Sequence, residues 1–473
     1  MTQESAPEAH DVRAAVSTSD ETADRSRRGR APGRWSAARL ADVRAFDAVT
    51  WTVLAITALS ALLHLWDLGA RAYHHDEGQH AAFSFYFANG AGYQHDPLLH
   101  GPLNFDLIAL AYVLFGDSDF TGRLPHALLG TLLVATPLLL RRQLGAWGTV
   151  TAAMFLTLSP SILYYARWAR EDIFIALFTA LIFAAVWRYR TDVEPRLRWL
   201  VLLSAAIALS YSTKESIYLT AAVLLLYLNA VVAHRLYWSR ASSAGSSIAA
   251  RVAAGLWLLP TAWIFAALWR PLAGLRRRLG FTLERPREVD LLVVTGTLVV
   301  PTLAAAVRLP LALVDVSLDA EAARVVAPVL VFVLLVAVAV IGWLWRWHWW
   351  LACAGVFLLL TVPFYATFGA HLPGVAGLFW NSLDYWLDQQ EVQRGTQPWF
   401  YYLMMAPLYE TLAFTLSMTG GLWFALRRHD HFAAMVLWWF AGTFVALSFA
   451  GEKMPWLTVH LALPLAFLAA YVV

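Results

Sequence analysis

Apolar runs of roughly 17–25 residues, the length that crosses a hydrocarbon core of about 30 Å, recur from residue 47 to residue 473 and are parted by short polar corners. A segment in hydrocarbon has to satisfy its own backbone N–H and C=O groups, so such runs fold as helices. The expected fold class is therefore an all-α polytopic membrane protein, a bundle of about twelve transmembrane helices. Charged residues make up 14% of the chain, against about 25% in a soluble domain, which leaves no water-soluble unit of useful size between the spans. The single cysteine, Cys353, lies inside an apolar run, which excludes a disulfide framework and a cysteine metal site.

Residues 1–46 are polar and without periodicity, and read as a disordered tail; the arginines at 25, 27, 28, 30, 34, 39 and 44 place it on the cytoplasmic side. The first span, about 47–66, delivers the segment Tyr73-His74-His75-Asp76-Glu77-Gly78-Gln79-His80 to the outside. A short surface helix should follow from Asp76, as its N-cap, to Gly90. A second surface or re-entrant helix should run from Pro102 to Gly116, since its apolar stretch is too short to cross. On that count the remaining basic ends, Arg141-Arg142, Arg188 and Arg190, Arg235, Arg346 and Arg427-Arg428, all fall inside. Residues 236–288 form a basic cytoplasmic loop in which 252–269 lie in the interface, and 289–473 a second transmembrane module; the chain stops at Val473 in mid-run, as a fragment would.

The corners left facing outward carry unusual residues: His74 to His80, His95 to His100, Arg167 to Asp172, Lys214-Glu215, Gln393-Arg394 and Glu452-Lys453. Only Lys214 and Lys453 of the 35 basic residues are lysines, and each adjoins a glutamate. Ionisable groups at membrane depth are costly and mark function. Asp76, at a helix N-terminus, is kept ionised by backbone N–H groups and can act as a general base; serving only as a cap is the plainer use of it. The cations Arg123, Arg167, Arg170, Lys214, Arg394 and Lys453, with His100, suit a departing phosphate. Plainer uses exist here too: Arg167 with Glu171 as an i, i+4 pair, Ser212 with Glu215 as a capping box, and Met454-Pro455-Trp456 as a proline-started helix with an interfacial tryptophan. The histidines and Asp96 could instead hold a divalent cation, although their spacing matches no zinc pattern. Glycine-rich nucleotide loops are absent, which disfavours a nucleotide-sugar donor, and nothing points to nucleic acid.

His75-Asp76-Glu77 after the first span, His100-Gly101-Pro102-Leu103, Gly122-Arg123-Leu124-Pro125, and Leu158-Ser159-Pro160 through Arg167 to Asp172 resemble the shared half of the GT-C glycosyltransferases, which include the protein O-mannosyltransferases and the lipid A aminoarabinose transferases. The stretches from Tyr385-Trp386 through Glu391 and Arg394 to Glu410, and from Gly451 through Glu452, Lys453 and Trp456 to His460, resemble the narrower group of flippase-activity-associated proteins of archaeal glycosylation type. The resemblance implies a GT-C-like catalytic module over 47–235 and inverting transfer of a hexose from a polyprenyl- or dolichyl-phosphate sugar to a hydroxyl of a glycan, lipid or protein, at the outer face of the cell membrane. It implies Asp76 as base, with Glu77 and Asp172 as further acidic positions. His75, His100, Arg123, Arg167, Lys214, Arg394, Glu452, Lys453 and His460 are the expected substrate-binding residues. His100 stands where the aminoarabinose transferases place a lysine on the lipid phosphate. The alternative is a flippase or transporter of lipid-linked sugars using the same corners as a path.

Overall fold

Helix Asp172–Thr191 is apolar on every side between an acidic first residue and a basic last turn, a pattern that places a helix at the centre of a bundle. In the computed structural model it does form the central post, flanked by Asp119–Ala135, Leu197–Tyr211, Arg287–Val299 and Val459–Val472. The structure describes residues 47–238, 286–316, 318–389, 397–451 and 453–473, with isolated positions between 252 and 257. The 252–269 segment, Arg394 and Glu452 thus lie outside the described residues, apart from those isolated positions.

Every element among the described residues is helical. Eight helical runs are long and apolar enough to cross a membrane, and Leu103–Phe115 and Leu197–Tyr211 are apolar but shorter. The chain is a multi-pass membrane protein. Two of the eight runs are broken inside: one at Gly145, whose φ of 71° suits glycine, and one at Arg346, where φ −157° and ψ 87° interrupt Ala320–Tyr365. The latter run turns Val325, Phe332, Val340 and Leu359 outward, the surface expected against lipid.

The two short helices of the first polar segment form as expected, His75–Ala88 and Leu103–Phe115, and pack on each other. The cap differs by two residues. His74, not Asp76, is the N-cap: its ring accepts from the Asp76 N–H, while Glu77 reaches back to the His74 N–H. Asp76 is thereby released from capping and sits in the first turn. The capping box expected of Ser212 and Glu215 does not form; Ser212 ends helix Leu197–Tyr211 and Glu215 turns to His100. Arg167 and Glu171 do not pair either, since Arg167 donates to the Trp66 carbonyl and Glu171 faces His80. Pro455 opens a 3-10 turn, Pro455–Thr458, as its position suggested.

At 20 residues and 1.5 Å per residue, helix Asp172–Thr191 is about 30 Å long. Its two ends therefore lie one hydrocarbon thickness apart. At the far end Arg142, Arg188 and Arg198 surround Asp192, and Arg190 and Arg235 hold Glu288. At the near end are the acidic and basic residues of the polar corners.

Candidate active site

The site is built around a buried carboxylate whose two oxygens are both taken up by donors of the protein. Glu77 has no exposed surface, and five donors converge on it: Arg123 Nε at 2.7 Å and Nη2 at 3.0 Å, Arg71 Nη2 at 3.2 Å, and the backbone N–H groups of His74 and Ala169 at 3.0 Å each. Burial alone would push the Glu77 carboxyl up, but Arg123 and the two backbone N–H groups outweigh it and hold the group below the usual glutamate range. Arg123, equally buried, spends its other donors on the carbonyls of Leu68, Arg71 and Ala72, and its guanidinium lies 4.7 Å from the Tyr73 ring centroid. The pair staples loop 68–77 to helix Asp119–Ala135.

Asp76, next in the chain, points the other way. It is a quarter exposed and pairs through Oδ2 with Arg170 Nη1; among the described residues its Oδ1 has no hydrogen-bond partner. Arg170 lies over Trp456, whose ring centroid is 4.0 Å from its Cζ, a cation–π contact. Arg170 Nε stands 3.7 Å from Asp172 Oδ2. Asp172, the buried first residue of the central helix, accepts from Lys214 Nζ at 2.9 Å, and His460 Nε2 lies 3.2 Å from the same oxygen. Asp76, Arg170, Asp172, Lys214 and His460 thus form one continuous charged cluster, drawn from four separate stretches of sequence.

A second buried pair backs this cluster. His80 Nε2 faces Glu171 Oε1 at 3.0 Å while its Nδ1 faces the Ala169 carbonyl. Burial opposes both charges, yet their attraction prevails: His80 is pushed up and Glu171 well down. Asn104 donates to Glu171 and faces His126, so Leu103–Phe115 is tied to the same centre.

Lys214 also lines a cavity of about 430 Å³. Its polar end is Lys214, Glu215 and His100; its walls are Leu219, Leu447, Phe449 and Leu457. His100 is 2.7 Å from Glu215 and stacks on Trp386 at 4.9 Å, with the rings 7° apart. His100 reaches this point because Gly101 passes against the 212–213 turn: Gly101 N–H donates to the Thr213 carbonyl, and a Cβ there would clash with the Ser212 oxygen. Lys453 donates from Nζ to the carbonyl of Ala450, itself part of the cavity wall.

Of the residues singled out in the sequence, Asp76, Asp172, Lys214, His460 and His100 are brought together around the cluster and its cavity. Glu77 and Arg123 are spent on each other and on the loop backbone, which leaves them no group for substrate. His75 is exposed at the helix start. Arg167 lies in a different cavity with Arg71. Arg170 and Trp456 were legible only as one more cation and an interfacial tryptophan; the signal was the run Arg170-Glu171-Asp172 directly before a fully apolar span. Among the described residues no three His, Cys, Asp or Glu side chains gather into a cation site.

Residues 71–270 match the family model described as dolichyl-phosphate-mannose-protein mannosyltransferase. An uncharacterized protein of Aquifex aeolicus is 32% identical over 130 residues, 27% of this chain and 26% of that protein. Among solved structures, ArnT from Cupriavidus metallidurans superposes with a TM-score of 0.55 at 18% identity in the apo state and 0.55 at 17% identity bound to undecaprenyl phosphate, covering 90% of this chain and 60% of that one. The Archaeoglobus fulgidus oligosaccharyltransferase in its apo form gives 0.50 at 16% identity, covering 88% of this chain and 50% of that one. Identities this low speak to the fold, and the chain spans about half to 60% of the length of these solved relatives.

Proposed function

From a chain whose fold is that of the GT-C membrane glycosyltransferases, we propose a membrane glycosyltransferase that moves a hexose, with inversion, from a polyprenyl-phosphate carrier to an acceptor hydroxyl. The observation that carries this is a partly exposed carboxylate with an open oxygen, Asp76, linked through Arg170 and Asp172 to Lys214 at the polar end of an apolar-walled cavity. A carrier of this class has an anionic phosphate and an isoprenoid tail, and the cavity offers Lys214 to the first and Leu219, Leu447, Phe449 and Leu457 to the second. That the ArnT structure is described as bound to undecaprenyl phosphate supports the same class of donor.

In the reaction the acceptor hydroxyl oxygen attacks the anomeric carbon while the bond from that carbon to the phosphate oxygen breaks. The hydroxyl proton passes to Asp76 Oδ1, and the electron pair leaves with the phosphate. Lys214, with Lys453 and His100 near the same cavity, stabilises the charge developing there. Arg170 orients Asp76, and Asp172 with His460 holds Arg170 and Lys214. Asp76, Asp172 and Lys214 all stand at helix ends on one side of the bundle rather than at mid-span, which favours transfer at a surface over carriage across it. We place this side outward, with the basic cluster of Arg142, Arg188 and Arg198 in the cytoplasm.

Replacing Asp76→Asn should lower transfer from a radiolabelled polyprenyl-phosphate sugar to membrane extract by about 10²- to 10⁴-fold. The variant should elute from size exclusion as the parent does. Wild-type rates from the purified variant would remove Asp76 from the role of base.

A further inference from the structure

A second cavity, of about 490 Å³, is lined by Arg71, one of the donors to Glu77. Its charged groups are Arg71, Arg167 and Asp67, two cations to one carboxylate; Leu68, Pro160 and Leu163 supply an apolar wall and Tyr164 an aromatic one. Its place in the fold follows from the ends of two candidate spans. Arg167 Nη2 donates to the Trp66 carbonyl at 2.6 Å, directly after helix Ala48–Leu65, and Pro160 follows the span that ends at Leu158. Trp66, 78% exposed, and Tyr164, half exposed, stand beside it, as aromatic residues do at a membrane–water interface.

Arg71 donates to the Tyr164 hydroxyl at 2.9 Å and to Glu77, and Arg167 Nε is buried with no hydrogen-bond partner. Two guanidiniums over an apolar wall at the interface match a phosphodiester joined to acyl chains. We propose that this cavity holds the phosphate headgroup of an anionic phospholipid, and that its occupancy stiffens the loop carrying Asp76. The link is Arg71: one guanidinium spans from the cavity to Glu77, the carboxylate on which loop 68–77 is fastened. A phosphate on Arg71 restricts that side chain and with it the staple. This site is separate from the Lys214 cavity and does not depend on the chain transferring sugar.

The test uses the purified full chain. Native mass spectrometry counts phosphatidylglycerol or phosphatidylcholine retained per molecule, and hydrogen exchange follows residues 71–80, with inorganic phosphate as a separate arm. Phosphatidylglycerol should be retained and should slow exchange of the loop; phosphatidylcholine should do neither. Arg167→Gln should weaken retention at this site about tenfold, the loss of a charge-assisted hydrogen-bond pair. Leu163→Trp, which fills the cavity with its charges intact, should abolish the loop protection. Equal retention and protection in wild type, Arg167→Gln and Leu163→Trp would overturn the proposal. Protection by inorganic phosphate equal to that by phosphatidylglycerol would overturn the lipid assignment. Should Arg167→Gln fail to fold, Leu163→Trp decides alone.

Discussion

Two neighbouring carboxylates divide the labour at the site because their surroundings differ. Glu77 is saturated by five donors and fixes the loop; Asp76 keeps one oxygen open, as the proposed base requires. Replacing Glu77→Gln should therefore act on folding first. It leaves Arg123 buried without its counter-charge, which costs about 3 kcal/mol or more, to be read as a lowered thermal midpoint in detergent; Asp76→Asn should shift that midpoint far less. The pH dependence has a sign. Because Glu77 is held below its ordinary value of 4.5, its contribution is present at neutral pH and lost as pH falls through its folded value. The gap between wild type and Glu77→Gln should then narrow in acid, and a gap that widened would contradict the pairing. From sequence the two residues were indistinguishable as adjacent acids at a helix start. Only the position of Arg123, 46 residues on, separated them.

At the level of elements, the capping of helix His75–Ala88 was half legible. A polar residue followed three positions later by a glutamate signals a capping box, yet the pattern fits more than one register, and His74 took the cap. The short helix Leu103–Phe115 was legible from its length alone. What could not be read was why glycine precedes Pro102: Gly101 lets this helix start press against the 212–213 turn and so sets His100 opposite Glu215. Replacing Gly101→Ala would force that turn away and move His100 and Lys214. Transfer should fall by roughly 10- to 100-fold, in line with the cost of misplacing catalytic groups, while Gly355→Ala, where a Cβ meets nothing within 4 Å, should leave it unchanged. Parental kinetics in Gly101→Ala would show that the contact does not position the site.

For the whole molecule, the expectation rests on opposite ends of a post about 30 Å long: the Asp76 cluster at one, the arginines around Asp192 at the other. Cys353 is the sole cysteine and is buried, so a Cys353→Ala background permits single-site labelling. His75→Cys and Lys453→Cys should react with an impermeant maleimide from the outside of intact cells, and Arg142→Cys only after permeabilisation. Labelling of His75→Cys and Arg142→Cys from the same side would end the proposed orientation. The sequence by itself determined that the chain is helical and embedded, because unbroken apolar runs of helix-spanning length satisfy their backbone groups in hydrocarbon only as helices, and that its costly polar residues concentrate at a few corners. Only the tertiary structure decided which of those residues meet. Asp172, Lys214 and His460 lie up to 288 positions apart in the chain, and the packing of apolar helices that brings them together depends on shape that no local pattern encodes.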